Sequence, residues 1–241
     1  MKSKSCAVIT GSTRGIGFAI AVELAERGFI PILNYCDDHI GAERAHTKLL
    51  GICKETQIVQ ADVTTESGVQ SLFEVTSKLG PVDVLVNNVG QFHYKPFIES
   101  SLEEWRTILD SNLISAVLCC QQAIPSMRDR RNGHIVNIAS MHADQIRSRP
   151  HTLPYAIAKS GLIHLTKTLA KTEAPFGIRV NAVGPGFIEG GEHTHSEHVA
   201  RIPLGQLGQP DDVAKAVSFL VSKNAQYITG ILIDVDGGAL L

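Results

Sequence analysis

The sequence predicts an α/β fold, a Rossmann-type doubly wound sheet of seven parallel strands with helices on both faces, in one domain spanning residues 1–241. Three observations lead there. Short β-branched runs alternate with longer helix-period segments along the whole chain. Several of those runs are apolar almost continuously rather than in alternation, as strands covered on both faces must be. A glycine-rich turn, "TGSTRGIG" (Thr10 to Gly17), stands directly between the first such run and the first helical segment.

The elements follow in order. "CAVIT" (6–10) is the first strand, and "IGFAIAVELAERG" is a helix with Ile16, Ile20 and Leu24 on one face, stopped at Gly28. "IPILNY" (30–35) is the second strand, with Pro31 placed at its start because proline cannot donate to the ladder. "TQIVQAD" (56–62) and "VDVLVNN" (82–88) supply the third and fourth strands. "SLEEWRTILDSNLISAVLCCQQAIPSM" is a long helix opening on Ser101 and Glu104 in capping-box spacing. "HIVNIAS" (134–140) is the fifth strand. The segment "YAIAKSGLIHLTKTLAK" is a helix with Ala158, Leu162, Leu165 and Leu169 toward the core; Ala156, Ser160 and Gly161 let a neighbour approach closely. "IRVNAV" (178–183) and "ILIDVDG" (231–237) complete the sheet. Between them lies "GPGFIEGGEHTHSEHVARIPLGQLGQP" (184–210), whose glycines and polarity suit a mobile flap. No repeat, low-complexity tract or linker marks a domain boundary.

Composition excludes several function classes. The chain is 44% hydrophobic and 19% charged with a formal net charge of −2, so no basic field draws nucleic acid or anionic lipid. Its five cysteines (Cys6, Cys36, Cys53, Cys119 and Cys120) are odd in number and irregularly spaced, which suits reduced thiols in the cytoplasm. No apolar run approaches the ~20 residues a membrane helix needs, and the N-terminal apolar run ends at Gly11, too soon for a signal peptide. In the run "EHTHSEH" (Glu192, His193, His195, Glu197, His198) a mobile loop lacks rigid partners to orient imidazoles, so solvated histidines are expected and no metal site.

Two patterns carry chemistry. In "TGSTRGIG" glycines admit a pyrophosphate to the backbone, and the free N–H groups of the helix start favour its charge. In "PYAIAK" Tyr155 and Lys159 stand four residues apart, stacked on one helix face, with Pro154 suited to the first turn. A carbonyl that accepts hydride needs a proton donor at its oxygen, and an adjacent ammonium makes a phenol a better one by favouring the phenolate.

"TGSTRGIG", "NNVG" (Asn87 to Gly90), a strand ending in Ser140, the Tyr155/Lys159 pair, and Pro185 with Gly186 resemble, in order and along essentially the whole chain, the classical short-chain dehydrogenases/reductases. "IVNIAS", "GIRVNAVGPGFIE" and "YITGILIDVDGG" are most similar to the 3-oxoacyl-acyl-carrier-protein reductase type. The resemblance implies Tyr155 as general acid, Lys159 as its tuner and the holder of the nicotinamide ribose, Ser140 on the substrate oxygen, and Asn112 anchoring a water that relays protons to Lys159. It implies a dinucleotide held by Gly11, Thr13, Arg14, Gly15, Ile16, Gly17, Tyr35, Asp62, Val63, Asn88, Gly90, Pro185, Gly186 and the Ile188 N–H. An acidic residue that selects NAD would align with Tyr35, and Arg14 offers a guanidinium for a 2′-phosphate instead; NADP is expected over NAD, with Asp37 and Asp38 as the residues that would reverse it. The expected reaction is NADPH-dependent reduction of a 3-oxoacyl thioester, carrier-protein-bound in the reductase type it resembles, or of a related ketone. A small polar ketone or pterin-like substrate, and a non-catalytic NADP-sensing regulator, are the alternatives. The family further implies a homo-oligomer, dimer or tetramer.

There are departures. Ser140 and Tyr155 are 15 residues apart, longer than the pattern, which puts Arg147, Arg149 and His151 in an enlarged loop, either meeting an anionic substrate group or standing in solvent. Gly190 replaces the threonine expected to hold the nicotinamide amide. "RDRRNG" (Arg128, Arg130, Arg131) is either an exposed turn or a docking point for an acidic carrier.

Overall fold

The computed structural model describes residues 5–191 and 194–240. Seven strands form one parallel sheet: β1 (Cys6–Ile9), β2 (Ile30–Tyr35), β3 (Gln57–Gln60), β4 (Val82–Asn87), β5 (Gly133–Ile138), β6 (Ile178–Pro185) and β7 (Leu232–Val235). Their order is β3-β2-β1-β4-β5-β6-β7. β1, β2, β4 and β5 are almost wholly buried along their length, as their largely apolar runs require. Pro31 is the second residue of β2. Ile30 N–H donates toward β1, to Ser5 O, so by alternation the missing proline donor faces β3, whose pairing with β2 starts only at Ile32.

Helices cover both faces. α1 (Gly15–Glu26) packs on α7 (Pro210–Val221) and on α2 (His39–Leu50). On the other face α3 (Glu66–Ser77) meets α5 (Ser115–Arg130), which meets α6 (Leu153–Glu173). The core between the layers is built from fully buried side chains such as Ile9, Ile20, Leu24, Leu33, Leu85 and Ile135. Gly28 has φ +88° and closes α1 as expected.

The long helix expected from Ser101 onward starts with a complete capping box, Ser101 with Glu104, but it is not uniform. α4 (Leu102–Leu109) and α5 are joined by a π-helical turn, Asp110–Ile114, in which the Ser115 N–H reaches back to Asp110 O. The cause is local: Ser111 Oγ donates to Thr107 O and Ser115 Oγ to Ser111 O, both at 2.7 Å, while Asn112 Nδ2 donates to Ile108 O at 3.0 Å. Side-chain donors thus compete for carbonyls that the backbone ladder would use. Gly161 lets α6 lie against this turn, since a Cβ there would come within 2.9 Å of Leu113 Cδ2.

Arg128, Arg130 and Arg131 each find a partner within the molecule. Arg128 grips the buried Glu173 carboxylate with two bonds of 2.6 and 2.8 Å, Arg130 pairs with Asp83, and Arg131 donates to Pro175 O. The run is a clasp between the ends of α5, β4 and α6, which leaves the docking reading without support.

Candidate active site

The sheet order reverses between β1 and β4, and a crevice opens at such a point beyond the carboxyl ends of the strands. The loops that follow these two strands meet there. Asn88 Nδ2 donates to Thr10 O and Gly11 O at 3.0 and 2.9 Å, and Asn34 Oδ1 accepts from Gly11 N–H at 3.2 Å. Asn88 therefore fastens the glycine loop; Asn34 does the same from β2, a role no motif announced. A side chain at Gly17 would run into Asn88 Nδ2 and Gly11 O, so only glycine lets α1 begin this close to the loop.

Whether the loop fits a phosphate can be judged from the helix start. α2, α3 and α4 are capped by Asp38, Thr65 and Ser101, whereas α1 has Arg14 at its N-cap with no capping side chain and no acid in its first turn. Nothing lies within 4 Å of the direction a side chain at Gly15 would take. The N–H groups of Gly15, Ile16 and Gly17 at this uncapped start carry the positive end of the helix dipole. Thr13 is half-buried beside them and Arg14 is exposed.

Further along the crevice the expectations fare unevenly. Tyr35 is only 7% exposed, and its hydroxyl hydrogen-bonds His39 Nδ1 at 2.7 Å. Asp38 is occupied as the α2 cap, accepting from Gly41 N–H at 2.8 Å, and Asp37 lies against the Cys36 thiol. Asp62 accepts from the Thr64 N–H and hydroxyl at 2.9 and 2.7 Å, and Val63 is buried. Pro185 ends β6, and its carbonyl accepts from Met141 N–H. Gly186 N–H donates to Val235 O. Ile188 bridges to Gly208, and its own N–H has no acceptor among the described residues. Gly190, where threonine was expected, has φ +77°, a backbone a threonine would adopt only under strain.

Ser140, Tyr155 and Lys159 line one cavity of about 1010 Å³. Ser140 lies two residues beyond β5, on the same cavity wall as Tyr155, and its hydroxyl acts to favour the phenolate. Pro154 sits in the first turn of α6, as its missing N–H allows. Phe92 meets the Tyr155 ring edge-on, centroids 5.0 Å apart. Lys159 is 4% exposed, and its Nζ donates to Ile138 O at 2.7 Å. Burial draws its pKa down to about 7. Burial also pushes the Tyr155 phenol up, with the Ser140 hydroxyl opposing. The expectation that Lys159 lowers the phenol is therefore not met in the protein alone: desolvation discourages both charges, and the ammonium is spent on Ile138 O.

Asn112 lies in the π turn, 1% exposed, with Nδ2 donating to Gln91 O at 2.8 Å. Its Oδ1 is buried without a partner. A Cβ on Gly90 would overlap that oxygen and stand 3.3 Å from Lys159 Nζ. The amide acceptor and the amine thus flank one point at Gly90, which must stay free of side chain.

Sequence reasoning passed over His142. Its Nε2 lies 3.3 Å from Asp236 Oδ2, and its N–H donates to Asp234 Oδ1 at 2.9 Å, so the loop after β5 is moored to β7. Of the flap residues, Glu192 and His193 lie outside the described residues; His195 and His198 stack on each other and His198 on Phe187. Among the described residues no helix is long and apolar enough to cross a membrane.

A glycine cradle at the reversal point of a doubly wound sheet, beside a serine, tyrosine and lysine in one cavity, defines an oxidoreductase of the dinucleotide-binding α/β class. The chain belongs to the short-chain dehydrogenase/reductase family: residues 11–239 match the family model described as enoyl-(acyl carrier protein) reductase. It is 36% identical over 245 residues to the 3-oxoacyl-[acyl-carrier-protein] reductase FabG of Staphylococcus aureus (strain Mu50), covering 99% of both chains. It is 37% identical over 246 residues to 3beta-hydroxysteroid dehydrogenase 1 of Eggerthella lenta, covering 97% of this chain and 93% of that one. Among solved structures, one from Sinorhizobium meliloti provisionally described as a short-chain alcohol dehydrogenase superposes with a TM-score of 0.92 at 32% identity, covering 99% of this chain and 97% of that one.

Proposed function

We propose that the chain is an NADPH-dependent carbonyl reductase, acting on a 3-oxoacyl thioester or a related ketone. The observation that carries this reading is the meeting of Ser140, Tyr155 and Lys159 in one cavity. The names of the bacterial 3-oxoacyl-[acyl-carrier-protein] reductases to which the chain is similar support the same reaction type. When bound, the nicotinamide supplies hydride to the carbonyl carbon. Tyr155 gives its proton to the developing alkoxide, and Ser140 holds that oxygen in line with the phenol. Lys159 carries a replacement proton: an amine drawn to about 7 exchanges protons readily near neutrality. The orphaned Asn112 Oδ1 is the acceptor that would hold a water beside it. We infer NADP over NAD because Asp38 is committed to capping α2 and Arg14 is exposed at the start of α1. The Ile188 N–H is the donor we assign to the nicotinamide amide. We place the protein in the cytoplasm as a homo-oligomer.

Absorbance of NADPH and NADH followed against acetoacetyl thioesters and small diketones tests this. Oxidation of NADPH well above NADH on at least one of these carbonyls is expected. Tight NADPH binding with no carbonyl reduced would favour a cofactor-sensing regulator instead.

A further inference from the structure

The cavity wall differs in charge from the molecule as a whole. The chain carries a formal net charge of −2, yet beyond Tyr155 the wall presents Arg147, Arg149 and Arg201 together with His164 and His198, against one carboxylate, Glu197. Among the described residues none of these arginines has a carboxylate partner, whereas Arg27, Arg128 and Arg130 are paired with Glu23, Glu173 and Asp83. Guanidiniums without carboxylate partners along one concave wall raise its positive potential, which favours the entry of an anion.

Two of them are held in place. Arg147 donates to Gln145 Oε1, and the Gln145 amide meets His142 Nδ1 at 3.0 Å. On the other side of the ring, His142 Nε2 lies 3.3 Å from Asp236 Oδ2. His142 itself has φ +52°, a backbone that a non-glycine residue keeps only when its surroundings fix it. A string of contacts thus runs from an acid buried at the end of β7 to a guanidinium on the cavity wall. From the facing flap, Arg201 lies with Cζ 5.3 Å over the Phe187 ring, and Phe187 stacks on His198 at 4.3 Å.

We propose that Arg147, Arg149 and Arg201 form an oxyanion subsite for a carboxylate or phosphate carried by the substrate itself, so that the compounds reduced at Tyr155 are oxo acids or phosphorylated ketones. The proposal rests on the reductase reading above and narrows it. A neutral ketone in the same cavity leaves these cations unanswered, and a long apolar acyl chain would have to lie along them.

The test uses matched pairs: oxo acids of increasing length from acetoacetate, each with its methyl ester, and dihydroxyacetone phosphate with dihydroxyacetone. Binding to the NADP-loaded protein is measured by calorimetry, and NADPH oxidation is followed separately. At least one anion should bind about tenfold or more tighter than its neutral partner. That preference should weaken with added salt and collapse in Arg147→Gln and in Arg201→Gln. No preference in any pair, or a preference that both variants retain, overturns the subsite. Anion preference in binding without NADPH oxidation on any pair keeps the subsite and removes the reductase reading. Equal oxidation with charged and neutral partners, without any binding preference, does the reverse.

Discussion

Lys159 Nζ donates to a backbone carbonyl inside the fold, and burial draws its pKa from 10.5 to about 7. The unfolded chain therefore binds one more proton than the folded one between these values, so stability rises as pH climbs through that window, and the penalty is fully present below about 7. Its size is at most about 5 kcal/mol, part of which the bond to Ile138 returns. Lys159→Met should accordingly melt higher than the natural protein near pH 6 and lose that advantage toward pH 10, as thermal unfolding across pH would record. At Gly90 the expectation is reversed, with function lost and fold kept. Gly90→Ala drives a methyl into Asn112 Oδ1 and against Lys159 Nζ; kcat should fall about 100-fold while the protein still folds, its melting temperature lower by roughly 2–10 °C, measured by steady-state kinetics beside unfolding. Tyr155 and Lys159 were legible in the sequence because they stand four residues apart on one helix, a purely local relation, whereas Ser140 came only with the family resemblance. His142 was not legible, because its partners Asp234 and Asp236 lie more than 90 positions away and reach it only when β7 joins the sheet beside β6. Nor did spacing reveal that Lys159 spends its charge on a carbonyl.

Among the elements, the strands were readable and the irregularities were not. Unbroken apolar runs such as "CAVI" and "IPIL" fell where β1 and β2 stand, because a strand buried on both faces has no polar side to show. The π turn at Asp110–Ile114 left no mark in the apolar pattern; it follows from two serine hydroxyls and an asparagine amide competing for backbone carbonyls. The charged run after α5 read as an exposed turn or a docking point because Glu173, which Arg128 holds, lies 45 positions away. Arg128 keeps the Glu173 carboxyl below its ordinary 4.5, so the pair stabilises the fold above that pH and less as pH falls through the lowered value. Arg128→Ala should lower the melting temperature at neutral pH, with the deficit shrinking in acid. A deficit independent of pH would assign the effect to the lost contact between Arg128 and Phe176 instead.

For the whole molecule, the doubly wound order that brings the loops after β1 and β4 together also sets β5, β6 and α6 beside them, so the glycine cradle and the tyrosine share one crevice. The class of fold was legible because alternation of strand and helix runs from end to end. The charge of the substrate cavity was not, since its wall is assembled from the loop after β5 and from the flap, two segments that composition describes only as polar. The central claim is that Tyr155 delivers the proton as a bound carbonyl is reduced. The direct measurement is NADPH oxidation by Tyr155→Phe on whichever carbonyl the natural protein reduces, with NADPH affinity determined alongside. The account predicts a loss of at least about 100-fold in kcat with cofactor affinity kept; a phenylalanine variant that turned over at the natural rate would contradict it.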